Sequence, residues 1–164
     1  MSGAPASTKR LPRRRYFIPE VIQTSGMDCG PAALKALLEG FGIPISYGRL
    51  REACHTDVDG TSIDTLEAIA RALELSAEQV MLPLDHVLLK EAAALPAIAV
   101  ARTPTGGAHF IVIWRCHGSW VQVLDPARGR LWRPRGAVLG QMYRHSALVG
   151  AQAWRDWAGS DAFL

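Results

Sequence analysis

Apolar residues recur at helical spacing through the first half of the chain and in alternating or continuous runs through the second. Leu34, Leu37 and Leu38 follow the stretch CGPAAL, and Gly40 and Gly42 close it, which predicts a helix from Cys29 to about Glu39. Pro31 suits its first turn, because the ring holds φ near the helical value and the missing N–H would have no partner there. SYGRLREAC (46–54) predicts a short second helix. In TSIDTLEAIARALEL (61–75), Leu66, Ile69, Ala70 and Leu73 form one stripe, with Thr61 or Ser62 as the N-cap. YFIPEVIQ (16–23) reads as an extended lead-in, QVML (79–82) as a brief strand, and residues 85–94 as a further helix. The pattern then changes. PAIAVAR (96–102), HFIVIWRC (109–116), WVQVLD (120–125) and GRLWRP (129–134) are β-rich runs separated by TPTGG, HGS and PAR, the signature of an antiparallel meander. Helices first and strands later indicate an α+β fold of two packed lobes with a cleft between them.

The chain has 164 residues, 49% of them hydrophobic and 20% charged, which suits one globular domain. Its net charge of +3 conceals an asymmetry. Lys9, Arg10, Arg13, Arg14 and Arg15 fall within the first fifteen residues, which hold no acid; the remainder carries thirteen basic against fifteen acidic residues. Residues 1–15 are therefore expected to be a disordered basic tail, either a solvated arm or one attracted to anionic lipid beside a membrane partner, and the mildly acidic body argues against nucleic acid as a partner. Residues 16–150 form the expected domain and 151–164 a C-terminal extension. The longest apolar run, AAALPAIAVA (92–101), contains Pro96 and is too short to span a bilayer. No apolar stretch follows the basic N-terminus, so no secretory signal is read there. Cys29, Cys54 and Cys116 are odd in number and widely spaced, which points to a reducing, cytoplasmic setting rather than a disulfide framework.

Cys29 changes this picture most. At a helix N-terminus, unpaired N–H groups and the macrodipole favour thiolate over thiol, which makes the sulfur a nucleophile near neutral pH; a lone cysteine serving as a small buried hydrophobe is the alternative. The second element is the hairpin formed by 109–116 and 120–125. A turn centred near His117 sets His109 and Asp125 opposite each other at the open mouth, where the carboxylate orients the imidazole that serves the thiol; a core histidine at a strand start and a residue of an Asp-Pro turn are the alternatives. Gln23, six positions before Cys29, is close enough through the loop to hold a developing oxyanion together with the Cys29 N–H. CHTDVD (54–59) has ligand-type residues but no second cluster, and His55, His86, His117 and His145 are read as ordinary surface or core residues.

Taken together, Gln23 followed by Cys29-Gly-Pro-Ala-Ala-Leu, then HFIVI and DPARG, resembles the bacteriocin-processing peptidases, papain-like domains at the N-termini of peptide-exporting ABC transporters. The likeness spans about residues 18–135, and the segment after Arg135 matches the family's usual ending poorly. It implies a papain-like fold, with an N-terminal helical lobe on a C-terminal antiparallel sheet. It also implies a cysteine endopeptidase that cuts a precursor peptide after a double-glycine-type leader, on the cytoplasmic side and without metal or other cofactor. Matching positions make Cys29 the nucleophile, His109 the general base and acid, Asp125 its orienting residue and Gln23 the oxyanion donor. The chain has no Gly-x4-Gly-Lys-Ser/Thr loop, so the implied partners, the membrane-spanning and ATPase parts of a transporter, lie outside this sequence, and 151–164 is expected to lead towards them. A non-catalytic leader-docking module and a papain-like transamidase are the rival readings.

Overall fold

The computed structural model describes residues 13–54, 60–144 and 150–160. Its first helix, α1 (Cys29–Gly40), is the centre of the molecule. Ala32, Ala33 and Ala36 turn towards the sheet, while Leu34 and Leu38 turn towards the other helices. Small side chains on one stripe let the backbone approach the sheet closely; large ones on the other fill the space between helices. Two glycines show how close the approach is. A Cβ at Gly40 would meet the Trp114 ring at 2.4 Å, and one at Gly30 would meet Thr61 Cβ at 2.9 Å.

α2 (Tyr47–Ala53) and α3 (Ile63–Ala72) start at Ser46 and Ser62, whose hydroxyls accept from the N–H groups of Arg49 and Thr65. Leu50 and Cys54 from the α2 end, and Leu66 and Ala70 from α3, close around Leu34 and Leu38. A fully buried leucine of this kind contributes about 1.5–3 kcal/mol, so this cluster holds the helical lobe together.

The sheet is a plain antiparallel meander in the order β1 (Ala97–Arg102), β2 (Ala108–His117), β3 (Trp120–Asp125) and β4 (Gly129–Pro134). One face, with Val112, Trp114 and Leu124, packs beneath α1, Ile18 and Val21. The other, with Ile111, Ile113, Val121 and Val123, is covered by Leu88, Val138 and Met142. Burial on both faces explains why HFIVIWRC reads as a continuous apolar run rather than an alternating one. The lead-in is stapled across the first face: the Ile18 N–H donates to Gln122 Oε1 at 2.7 Å, and Gln122 Nε2 donates to the Tyr16 carbonyl at 3.3 Å. The helical lobe on an antiparallel sheet is the α+β architecture that the patterning predicts.

Several expectations need correction. Residues 79–82 form no strand; Val80 and Met81 are 59% and 69% exposed, so β-propensity there finds no partner edge. The helix expected over 85–94 is a single 3-10 turn, Leu84–His86, followed by irregular turns that lay Leu84, Val87, Leu88 and Leu95 against the sheet. α3 ends at Ala72 instead of Leu75, because Glu74 turns into the left-handed region at φ 68° and the Leu75 N–H closes back on the Ala70 carbonyl. The fold begins before Tyr16: the Arg15 N–H donates to the Gly40 carbonyl, and the Arg15 carbonyl accepts from Trp114 Nε1 at 3.0 Å. Residues 1–12 lie outside the described residues, as do 55–59, with His55 and most of CHTDVD, and 145–149, with His145. Helices α4 (Arg135–Gln141) and α5 (Ala151–Ala158) follow the sheet, the second within the stretch expected as an extension. Among the described residues, no helix is long and apolar enough to cross a membrane.

Candidate active site

Cys29 opens α1, as the helix-start signals predict. It is half-buried, and burial alone would push its pKa up; the His109 side chain, the Phe110 N–H, the positive imidazolium and the Gly30 N–H together hold it below the ordinary thiol value. Cys54, by contrast, is pushed up to about 11 by burial. Same residue type, opposite outcome: several donors and a positive charge offset burial at the first sulfur, whereas at the second, packed among leucines, the Thr61 hydroxyl alone does not.

His109 is the second residue of β2 and Asp125 the last of β3. His109 Nε2 lies 2.8 Å from Asp125 Oδ1, and the two side chains are 13% and 16% exposed, so water screens the contact little. Their pairing differs from the expectation in one respect. The turn is at Gly118 and Ser119, with His117 opposite Trp120, and the register shifts between Ile113 and Arg115. Val112 faces Leu124, so Asp125 falls across from Ile111 and His109 reaches it diagonally. The hydrogen bond from His109 to Asp125 raises the imidazole most, followed by the one to Cys29, to about 9. Burial would raise the Asp125 carboxyl, but its bonds to His109 and to the Ala127 N–H, and the nearby charges, bring it below the usual carboxylate value.

Between the lowered thiol value and about pH 9 the pair therefore exists as thiolate and imidazolium. The raised imidazole also stabilises the fold, in full below its unfolded value near 6.5 and vanishing as pH rises through about 9. Asp125→Asn is expected to move the alkaline limit of thiolate–imidazolium pairing from about 9 towards 6.5, because Asp125 is the largest cause of the shift. An NMR titration of the His109 ring checks this; an unmoved midpoint would separate Asp125 from the pair.

Gln23 is tied to the same corner by its backbone, whose N–H donates to the Pro126 carbonyl at 2.9 Å. Its amide Nε2 donates to the Ser25 carbonyl at 3.0 Å, so the side chain folds over its own loop, and no direct bond joins it to Cys29. The second Nε2 hydrogen is left for another acceptor. Its Oε1 is buried without a partner among the described residues.

Asp28 is a residue that sequence reasoning did not single out. It occupies the N-cap position, yet its side chain caps nothing. Fully buried, it accepts from Thr24 Oγ1 at 2.7 Å and from Arg51 Nε at 3.1 Å. Burial would raise its carboxyl, but hydrogen bonds from Thr24 and Ser25 and the Arg51 guanidinium hold it ionised. The Thr24 N–H also reaches Tyr47 Oη at 3.3 Å, so α2 clamps the loop that presents Cys29. An Asp just before a helix signals a cap, but its real partner is 23 residues away.

A double-glycine motif protease from an AMS/PCAT transporter, solved in complex with the leader peptide, has the same fold: TM-score 0.65, 20% identity, over 80% of this chain and 90% of that one. The helical lobe on a four-stranded antiparallel sheet is thus the papain-like peptidase arrangement. The Lactococcin-G-processing and transport ATP-binding protein LagD of Lactococcus lactis is 29% identical over 68% of this chain, which spans only 16% of LagD. An uncharacterized protein of Methanothermobacter marburgensis is 30% identical over 83% of this chain and 92% of its own length. The family model described as Peptidase C39 family matches residues 18–149, four-fifths of the sequence and every residue of the site just described; the chain belongs to the Peptidase C39 family of cysteine peptidases.

Proposed function

We propose that this chain removes the leader of a precursor peptide by cutting after a double-glycine-type motif, in the service of an ABC transporter. The observation that carries the reading is the alignment of Cys29, His109 and Asp125, with the 2.8 Å His109–Asp125 bond and the thiol held below its ordinary value. Membership of a cysteine peptidase family supports it. So do relatives named as processing and transport proteins and a structural neighbour solved with a leader peptide.

In this reading the Cys29 thiolate attacks the carbonyl carbon of the leader's last glycine, and the carbonyl electrons move onto oxygen. The oxyanion is held by backbone N–H groups of the first turn of α1, including that of Cys29, and by the Gln23 amide. As the tetrahedral intermediate collapses, the C–N bond breaks, and the His109 imidazolium gives its proton to the departing amine. The neutral imidazole then takes a proton from water as that water attacks the thioester, the C–S bond breaks, and thiolate and imidazolium are restored with the leader released as its carboxylate. Asp125 keeps the ring oriented throughout.

Gln23→Ala is expected to lower kcat by roughly 10²–10³ with little change in KM, because the charge that Gln23 holds exists only after attack. Steady-state kinetics on a Gly-Gly peptide check this; a loss confined to KM would make Gln23 a substrate-binding residue. The reading as a whole is tested by mass spectrometry of a double-glycine precursor after incubation with the protein. Two products divided after the second glycine are expected; an intact precursor that only co-purifies would support a docking module, and one carrying an added amine would support a transamidase.

A further inference from the structure

The far end of the β2–β3 hairpin carries a second surface. Tyr16, His117, Trp120 and Trp132 line an open groove of about 330 Å³ with almost wholly apolar walls. Trp120 and Tyr16 are about half exposed, and Phe17 beside them is 51% exposed. From His109 to His117, β2 runs roughly 26 Å at the ordinary rise of a strand, so the groove is remote from the Cys29 site. Single exposed apolar residues are common, but adjoining aromatics on one open face mark a contact surface.

The rim of this face is cationic. The Arg115 guanidinium lies 4.5 Å over the Tyr16 ring, that of Arg14 4.6 Å over Trp114, and that of Arg130 5.1 Å over Phe17. Among the described residues, Arg14 Nε and Nη2 and Arg115 Nε are buried without hydrogen-bond partners, and burial and the Arg115 charge both depress the Arg14 pKa. Two like charges thus share one corner. Arg115 and Arg130 stand on the rings of this face, and the single acid between residues 110 and 135, Asp125, is engaged with His109 and lies beside Arg128 at the other end of the sheet. Glu20 accepts from the Arg130 N–H, and Arg13 to Arg15 lead directly into Tyr16 without an acid.

We propose that this basic, aromatic face docks on the surface of an anionic lipid bilayer. Tryptophan and tyrosine settle at headgroup depth because their rings are apolar and their N–H and O–H groups polar, and arginine guanidinium groups pair with lipid phosphates. Charge complementarity selects this occupant. A second copy presenting the same positive face would be repelled. A single-stranded nucleic acid needs a row of stacking platforms along a charged track, whereas this is one shallow patch at a hairpin end. The proposal does not depend on the peptidase chemistry.

The test is co-sedimentation of the whole 164-residue chain with vesicles of phosphatidylcholine alone or mixed with phosphatidylglycerol. Binding is expected to the mixed vesicles, to weaken with salt, and to be at least about tenfold weaker on the neutral ones. Trp120→Ala with Trp132→Ala should weaken it by about tenfold or more, and Arg13→Gln with Arg15→Gln by about fivefold for each charge, with cleavage of a soluble peptide unchanged. No sedimentation, equal binding to both vesicle types, or undiminished binding by the tryptophan double variant would overturn the proposal. So would oligonucleotide binding, or concentration-dependent self-association, that disappears in that same variant without any affinity for vesicles.

Discussion

Cys29→Ala is expected to bring cleavage down to background, a loss on the order of 10⁶ in kcat, comparable to removing the nucleophile from other triads. No second thiol can take over. Cys54 is buried among Leu34, Leu38, Leu50 and Leu66, and its pKa is pushed up to about 11; Cys116 lies towards the far end of β2, against the sheet's second face. The fold should survive the change, because Cys29 belongs to none of the buried clusters and alanine is the best helix former for its position. Precursor binding should therefore persist while turnover disappears. Measured by chromatography of the products, turnover surviving in this variant would assign the chemistry to another residue.

His109→Ala is expected to be the next most costly change, on the order of 10⁴ in kcat, for two reasons that compound. The imidazolium is the largest of the contributions that lower the Cys29 pKa, so its loss leaves burial opposed only by the Phe110 and Gly30 N–H groups and shifts the sulfur towards the thiol. The proton for the departing amine is also lost. The two effects separate with pH: raising it restores thiolate but not the acid, so the variant should recover only part of its deficit between pH 7 and 9. Initial rates across that range check the prediction. Full recovery at high pH would mean that His109 serves only to ionise the thiol.

What could be read from the sequence was what local chemistry determines. Pro31 and the Ala/Leu pattern place Cys29 at a helix start without reference to anything distant, and Ser46 and Ser62 mark two further helices by capping chemistry alone. The meander was legible because each strand is bounded by its own turn residues. What failed depends on partners far along the chain. QVML has strand propensity, but it pairs with no strand of the sheet. Residues 85–94 look helical, yet they are laid across the sheet by contacts with Ile111 and its neighbours rather than by their own periodicity. The one-residue slip between Ile113 and Arg115, which moves Asp125 from opposite Val112 to opposite Ile111 and so onto the face of His109, leaves no mark in composition. The role of Asp28 could not be read locally, because Arg51, the partner that makes it a clamp, arrives only with α2.

Catalysis by Cys29 requires that its surroundings ionise it, and the rate of iodoacetamide alkylation against pH, resolved by peptide mapping, measures that directly. Cys29 should react ahead of Cys54 and Cys116 at pH 7, with a midpoint below the ordinary thiol value, and that midpoint should rise in His109→Ala. Equal labelling of the three cysteines in the folded protein, or a Cys29 midpoint that does not move when His109 is removed, would contradict it.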